Sequence, residues 1–296
     1  MTPEDGLLPR THWQRRIATL DPERDYEQIY RILLTHEFPW DFVQSLSLAL
    51  FRTYAVPSIS RLLDETGELT HNTQKRYDDT TLLLEEASAR GLHSAHGRSA
   101  VRRINQMHGA YDIDPDDMRY VLSTFVVTPT RWLEQFGWRP LSPGEVRAST
   151  LYYRELGRLM GIKDIPETYD EFAELLDSYE EEHFAFDPAG RRVADATTAL
   201  MLTFYPRVVS RPAKLFTHAL LDERLLAAFG YQAPPAAVVR AARAALKARA
   251  AVEALLPARR RPMRVGDMPR IRSYPAGYDV ADLGTFPRGC PVVHTW

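Results

Sequence analysis

The sequence has a single cysteine, Cys290, among its 296 residues. One cysteine can form neither an internal disulfide nor a cysteine-cluster site for zinc or iron–sulfur, and such usage fits a reducing compartment. The chain also lacks any uncharged apolar run near the roughly 18 residues that a bilayer-spanning helix needs. Its first residues, MTPEDGLLPR, lack the basic start and apolar core of a signal peptide. We therefore expect a cytoplasmic protein with no transmembrane segment.

Common catalytic signatures and bulk charge are missing too. There is no HExxH, GxSxG, P-loop or glycine-rich dinucleotide turn. The formal net charge of −2 gives the whole molecule no electrostatic reason to bind nucleic acid. The segment from Arg240 to Arg272 is a local exception, with ten Lys or Arg and two acidic residues. Since aromatic residues for base stacking are sparse there, we favour a solvated helix face with a salt-bridging tail and expect no nucleic-acid partner.

The chain does have helix starts and helical periodicity along most of its length. Asp114 precedes a proline and two acidic residues, Ser142-Pro143-Gly144-Glu145 fits a capping box, and Thr168 with Glu171 fits another. No segment shows the alternation of a strand ladder. We predict an all-α protein with a single globular domain of about ten helices over residues 1–258. An irregular Arg/Pro-rich arm over residues 259–296 is expected to pack on it.

Two finer expectations concern helix boundaries. Asp21 with Pro22 predicts the start of a helix that ends near His36. Gly91 and Gly97 predict breaks between two central helices, one over about residues 72–90 and one that ends at Gly109.

These two central helices direct polar groups toward apolar faces. Arg76 and Thr80 are four residues apart and share a helix face with the apolar Leu83 and Leu84. His108 follows Ile104 by four residues on an apolar stripe. Polar groups in an apolar interior cost a few kcal/mol each unless they find partners. The pattern therefore indicates a buried cofactor site between these helices.

Simpler interpretations remain beside this one. A single histidine on an apolar face is more often a hydrogen-bonded core residue than a ligand, and Arg76 could pair with Asp79, Glu85 or another acid. His93 and His96 are three residues apart, a spacing that a helix could use to hold a metal. No carboxylate or third histidine that would complete a non-haem iron site is evident, so a surface loop pair is favoured.

With these residues in view, the chain resembles the oxygenase family of the bacterial latex-clearing rubber oxygenases and the fungal MpaB-like enzymes. The resemblance rests on Arg76-x-x-x-Thr80, on VRRINQMHG with Arg103 and His108, on DPDDMRYVLSTFV, and on FGWRPLSPGE with the helix after it. It covers roughly residues 38–229. No single motif is diagnostic, but their order and spacing together are specific.

The resemblance implies an all-α fold and a b-type haem protein that attacks carbon–carbon double bonds of isoprenoid chains with dioxygen. It matches Arg76 and Thr80 to the catalytic polar pair beside the haem of the rubber oxygenases, and it matches His108, our first choice of metal ligand, to a histidine common in MpaB-like members. The helix that carries the axial histidine of the rubber oxygenases corresponds here to DDMRYVLSTFV, which has no histidine. Further residues follow from the same comparison. Arg103 is a candidate for a haem propionate, with Tyr120 and Thr124 also at the cofactor and Leu84, Leu122 and Phe125 in a substrate pocket.

Three choices stay open at this point. The iron ligand could be His108, or Tyr120 as a phenolate, as in catalase, or haem could be absent. The function we predict is a haem b-dependent oxygenase-like enzyme acting with dioxygen or peroxide on a hydrophobic or aromatic small molecule. The alternatives are a non-catalytic helical protein that binds a lipid-like ligand or partner, and a non-haem iron enzyme using His93, His96 or His108. Self-association is left open.

Overall fold

The computed structural model describes residues 7–206 and 210–285, and within them the chain is helical with no β-strand. The all-α prediction is thus confirmed. The fourteen α-helices of the described chain are α1 (His12–Ile17), α2 (Tyr26–Ile32), α3 (Pro39–Thr53), α4 (Pro57–Thr66), α5 (Glu68–His71), α6 (Thr73–Arg90), α7 (Ala95–His108), α8 (Pro115–Phe136), α9 (Pro143–Leu159), α10 (Tyr169–His183), α11 (Pro188–Leu202), α12 (Ser210–Leu220), α13 (Glu223–Ala228) and α14 (Ala236–Leu255).

The predicted capping residues begin their helices as expected. The Asp114 carboxylate accepts from the backbone N–H of Asp116 at the start of α8. Ser142 and Glu145 form a reciprocal capping box at α9. Thr168 accepts from the N–H of Glu171 at α10. These caps satisfy backbone donors that the first helical turn leaves unpaired.

The structure has more helices than the predicted ten, and two predicted boundaries were wrong. The additional helices are mostly short, such as α1, α5 and α13, which is separated from α12 by the capping residue Asp222. Asp21 accepts within a turn, and α2 begins only at Tyr26. Gly97 does not break the chain, because it lies in the first turn of α7, where a Cβ atom would come within 2.0 Å of the Gly91 carbonyl oxygen. Its role is close approach of backbone rather than termination.

The core is built around α3 and α8, which pack along each other. Phe42 of α3 and Val127 and Leu133 of α8 are fully or almost fully buried. Asp41 is buried among them and accepts from Trp132 Nε1 at 2.9 Å and from Arg249 at 2.6 Å. A second apolar cluster joins the end of α3 to α11 and α13 through residues such as Phe51, Val193 and Phe229. No helix in the described ranges is long and apolar enough to cross a membrane.

Residues 259–285, which we call the arm, run over the helical body with little regular structure of their own. The backbone N–H of Met263 donates to the Thr35 carbonyl at 2.8 Å, and Leu283 is fully buried. The division of the chain at residue 258 stays a prediction, because the arm shares contacts with many helices. Cys290 lies outside the described residues.

Candidate functional site

Consecutive helices α6 and α7 bring the three central candidates together. Arg76 and Thr80 are on α6, and His108 is the last residue of α7. The short connection after Gly91 is fixed by Ser94, whose hydroxyl accepts from the N–H of Gly97 at 2.9 Å. Gly97 lets the first turn of α7 lie against the backbone of Gly91, and His108 at the other end of α7 lies near enough to Arg76 to feel its charge.

Arg76 and Thr80 contact each other directly. The Arg76 guanidinium donates to the Thr80 hydroxyl, which in turn donates to the Arg76 carbonyl at 2.8 Å. Among the described side chains, no carboxylate lies within 4 Å of the guanidinium. Asp79, one of the acids proposed as its partner, instead pairs with Lys75 at 2.7 Å. The guanidinium charge is therefore half-buried without a counter-ion in the described part of the chain.

His108 is held as a neutral imidazole. Burial and, to a smaller extent, the nearby positive charge of Arg76 together lower the pKa of His108 from its ordinary 6.5 to about 4. Its Nδ1 atom is buried and has no hydrogen-bond partner. An unprotonated ring nitrogen carries a lone pair that a metal ion can take. Burying a polar atom without a hydrogen-bond partner costs free energy, so a ligand that bound Nδ1 would remove this cost.

Tyr54, which sequence analysis did not single out, lies close to the same group. Burial raises the pKa of its phenol, while the positive charge of Arg76 opposes this rise. No local pattern connects Tyr54 to Arg76, because one follows α3 and the other begins α6. The contact could be found only from the fold.

A small cavity lies beside this group, between α2, α3, α6 and α9. Thr80 and Leu84 line it, as do Tyr30 and Tyr153, whose hydroxyls are 2.6 Å apart. A larger cavity of about 450 Å³ lies on the other side of Tyr77 and Ser47, two residues that belong to both walls. The structure therefore places two of the predicted site residues, Thr80 and Leu84, on a cavity wall.

The α8 candidates lie elsewhere. Tyr120 is fully buried, and its hydroxyl donates to Glu180 Oε1 at 3.2 Å within a cluster that includes Arg52. Burial and the neighbouring Glu180 charge raise its pKa well above the ordinary value, which disfavours a phenolate. Thr124 donates to the Val121 carbonyl at 2.7 Å, inside its own helix. Neither residue lines either cavity, and their cofactor roles stay predictions.

The remaining candidates are also placed by packing. Arg103 donates to the backbone carbonyls of Leu283 at 2.6 Å and Thr285 at 3.2 Å, so the arm engages the side chain predicted for a propionate. Leu122 packs against Gly157 of α9. Phe125 stacks on Tyr153 at 5.8 Å, one layer behind the small cavity. Neither of these apolar residues lines the described cavities, and their place in a substrate pocket stays a prediction.

His93 and His96 do not form a pair. His93 lies 2.9 Å from Glu155, whereas His96 lies 4.0 Å from Glu86, and both side chains are more than half exposed. Throughout the described ranges there is no group of three or more His, Cys, Asp or Glu side chains that could hold a metal ion. The arrangement thus offers one histidine nitrogen beside Arg76, and it does not offer a three-residue protein site.

The FGWRPLSPGE motif has a structural role. Arg139 donates to the buried carboxylates of Glu37 and Glu145, each at 2.7 Å, and Glu145 is also the capping-box residue of α9. The guanidinium lies over the Phe38 ring at 5.0 Å. This network fixes the start of α9 against α3 and contributes no side chain to the group around His108.

Comparison with known proteins adds a family. Residues 35–253 match the family described as "ER-bound oxygenase mpaB/B'/Rubber oxygenase, catalytic domain". The chain is 34% identical over 216 residues to ER-bound oxygenase mpaB' of Penicillium brevicompactum, covering 67% of this chain and 51% of that protein. It is 32% identical over 222 residues to ER-bound oxygenase mpaB of Penicillium roqueforti (strain FM164), covering 69% and 74%. The alignments span about half the length of the first relative and three quarters of the second.

Proposed function

Since the chain belongs to the family of mpaB and rubber oxygenase catalytic domains, we propose that it is an oxygenase that binds b-type haem through His108 and acts on a hydrophobic small molecule. The observation that carries this proposal is the buried, unpartnered Nδ1 of His108, held neutral beside Arg76. Haem iron needs only one or two protein ligands because the porphyrin supplies four nitrogens. A single available histidine therefore suits haem better than it suits a non-haem metal site.

Two residues near His108 offer groups that such a site could use. Arg76 offers a cation without a carboxylate partner among the described side chains, suited to a propionate or to developing negative charge. Thr80 offers a hydroxyl on the wall of the small cavity. Bound haem would supply the activation of dioxygen or peroxide. The protein's part would be to hold the cofactor, to exclude water and to orient an apolar substrate.

The location of haem relative to Arg103 and Tyr120 follows from the same proposal. With His108 as the iron ligand, Tyr120 remains a hydrogen-bonded core residue beside Glu180. Arg103 would keep its bonds to the arm, so Arg76 is the better candidate for the propionate. Cytoplasmic location stays a prediction of the sequence, and the relatives named above are described as ER-bound.

A non-catalytic binding protein is the second candidate, and the apolar cavity of about 450 Å³ favours it. Such a protein would bind a lipid-like ligand without needing His108. The two candidates differ in colour, since only a haem protein has a Soret band.

The test is an absorption spectrum of the purified full chain, oxidised and dithionite-reduced, with a pyridine haemochrome assay and dioxygen uptake in the presence of an isoprenoid substrate. We expect about one b-type haem per chain and substrate-dependent uptake of dioxygen. A protein that folds but stays colourless after reconstitution with hemin would refute the haem proposal. Haem binding without dioxygen uptake would support the cofactor proposal but refute the oxygenase activity on that substrate.

A further inference from the structure

The arm supplies wall residues to both cavities although it lies outside the region that matches the family. The match ends at residue 253, whereas the arm covers residues 259–285. Val265 lines the small cavity and Arg270 lines the large one. Among the described residues that line the large cavity, Arg270 is the one with a charged side chain.

Apart from Arg270, the lining of the large cavity is mostly apolar. It includes the aromatic rings of Trp132, Phe204 and Phe216 and the aliphatic side chains of Met201 and Leu220. Its volume of about 450 Å³ lies in the range of small-molecule sites. Such a lining binds an apolar body by burial, and a few polar groups fix its orientation.

The Arg270 guanidinium is directed at this apolar wall rather than at an acid. It lies 5.4 Å from the centre of the Phe204 ring, and its positive charge opposes the effect of burial on the pKa of the Tyr77 phenol. No carboxylate among the described side chains lies within 4 Å of it. A half-buried cation without an ion-pair partner among the described side chains keeps most of its capacity to bind an anion.

The neighbouring Arg272 shows the contrast. Its guanidinium lies 5.2 Å from the same Phe204 ring, but it donates to the hydroxyl and the carbonyl of Thr203, both at 3.2 Å. Arg272 is exposed and does not line the cavity. Two arginines thus share one ring, and only Arg270 is part of the cavity wall.

The backbone of the arm holds Arg270 in place. Gln74 donates to the Arg270 carbonyl at 2.9 Å, and the N–H groups of Arg272 and Ser273 donate to the buried carboxylate of Asp78 at 3.0 and 2.8 Å. Both anchoring side chains belong to α6, the helix that carries Arg76. A guanidinium whose backbone is fixed before binding loses less entropy when it takes a ligand.

We infer that Arg270 is a specificity residue that selects an amphipathic carboxylic acid, with the apolar body in the large cavity and the carboxylate on the guanidinium. One guanidinium matches one carboxylate in charge and in planar geometry. That this acid is a substrate rests on the proposed oxygenase function, whereas the binding preference does not.

The test is calorimetric binding of decanoate and decanol to the full chain at pH 8, where the acid is ionised. The two probes have the same apolar body and differ only at the head group. We expect the wild type to bind decanoate at least about tenfold more tightly than decanol, because an ion pair of this kind is worth more than about 1.4 kcal/mol. In Arg270→Gln we expect this preference to vanish while the decanol affinity stays within about twofold.

Arg272→Gln is the matched control, and it should keep the full preference. Arg270→Lys should keep part of it, since it preserves the charge without the planar fork. A preference for decanoate that survives Arg270→Gln in a folded protein would overturn the inference, as would equal affinity of the wild type for both probes. Binding is measured without turnover, so a colourless protein with the expected preference would refute only the haem proposal. A haem protein without the preference would refute only the role of Arg270.

Discussion

The polar groups on two faces of helix α6 differ in whether they have hydrogen-bond or ion-pair partners. On the face toward the arm, Asp78, Asp79 and Glu85 are buried, and each accepts hydrogen bonds from described residues of the arm. On the other face, Arg76 has no carboxylate partner among the described side chains, and the neighbouring His108 has an unpaired ring nitrogen. Both faces are rich in polar residues. The buried acids facing the arm have partners within the described protein, whereas the charge of Arg76 and the ring nitrogen of His108 do not.

This difference separates structural polar groups from functional ones. A buried carboxylate that accepts several N–H donors stabilises a particular fold, because its removal would leave those donors unpaired. A buried ring nitrogen that accepts no hydrogen bond does not stabilise the fold in this way, and its burial costs free energy. The arm-facing acids therefore explain how the arm is held, whereas the group around His108 is the one that we propose for cofactor binding.

The largest effect on stability is expected from a buried acid on the face of α6 toward the arm. Asp78→Ala would remove the acceptor of Gln74 and of two backbone N–H groups of the arm. We expect the free energy of unfolding to fall by about 3 to 5 kcal/mol, as measured by urea denaturation. Asp116→Ala, which removes an exposed partner of Arg119, is the control and should cost less than about 1 kcal/mol. Equal losses in the two variants would contradict the comparison.

A smaller effect is expected when the pH is lowered, and it arises from His108 beside the other face of α6. The pKa of His108 is about 4 in the folded haem-free protein and near 6.5 in the unfolded chain. Between these values the unfolded chain binds a proton that the folded protein does not, so stability falls as the pH drops from 6.5 to 4. We expect this residue to contribute a loss of about 2 to 3 kcal/mol, seen as the difference between the pH profiles of wild type and His108→Leu. Parallel profiles would show that His108 titrates normally.

The smallest effect on stability is expected from His108→Leu itself at pH 7.5. Because Nδ1 has no partner, its removal breaks no hydrogen bond at that atom and spares the cost of burying it. We expect haem-free protein to change its free energy of unfolding by less than about 1 kcal/mol, in either direction. A loss comparable with that of Asp78→Ala would indicate a hidden structural partner of the imidazole.

The sequence allowed the fold class and most helix boundaries to be predicted, whereas the cofactor role of the group around His108 stays a prediction. Caps such as Ser142 and periodic spacing such as Arg76 with Thr80 are local, and local patterns survive folding. Gly97 was misinterpreted because its reason is a contact with Gly91 across a tight connection, which no periodicity shows. Tyr54 and Arg270 were missed because their partners lie far away in the chain.

The predicted α8 residues illustrate the same limit. Tyr120 and Thr124 have the chemistry that a cofactor site could use, but helical geometry alone does not say which of several buried surroundings a face meets. In the structure Tyr120 meets Glu180 and Tyr179. Side-chain chemistry could be predicted from the sequence, whereas the neighbourhood required the packing of distant helices.

The most direct test of the central claim compares two partly buried histidines. His218 of α12 also has a ring nitrogen without a partner, and burial and Lys214 lower its pKa, but it stacks on Tyr231 rather than lying beside Arg76. Each variant would be reconstituted with hemin and its Soret absorbance titrated. We expect His108→Ala to lose stoichiometric haem binding, with His218→Ala and Tyr120→Phe retaining it. Full haem binding by His108→Ala, or its loss in Tyr120→Phe alone, would contradict the account.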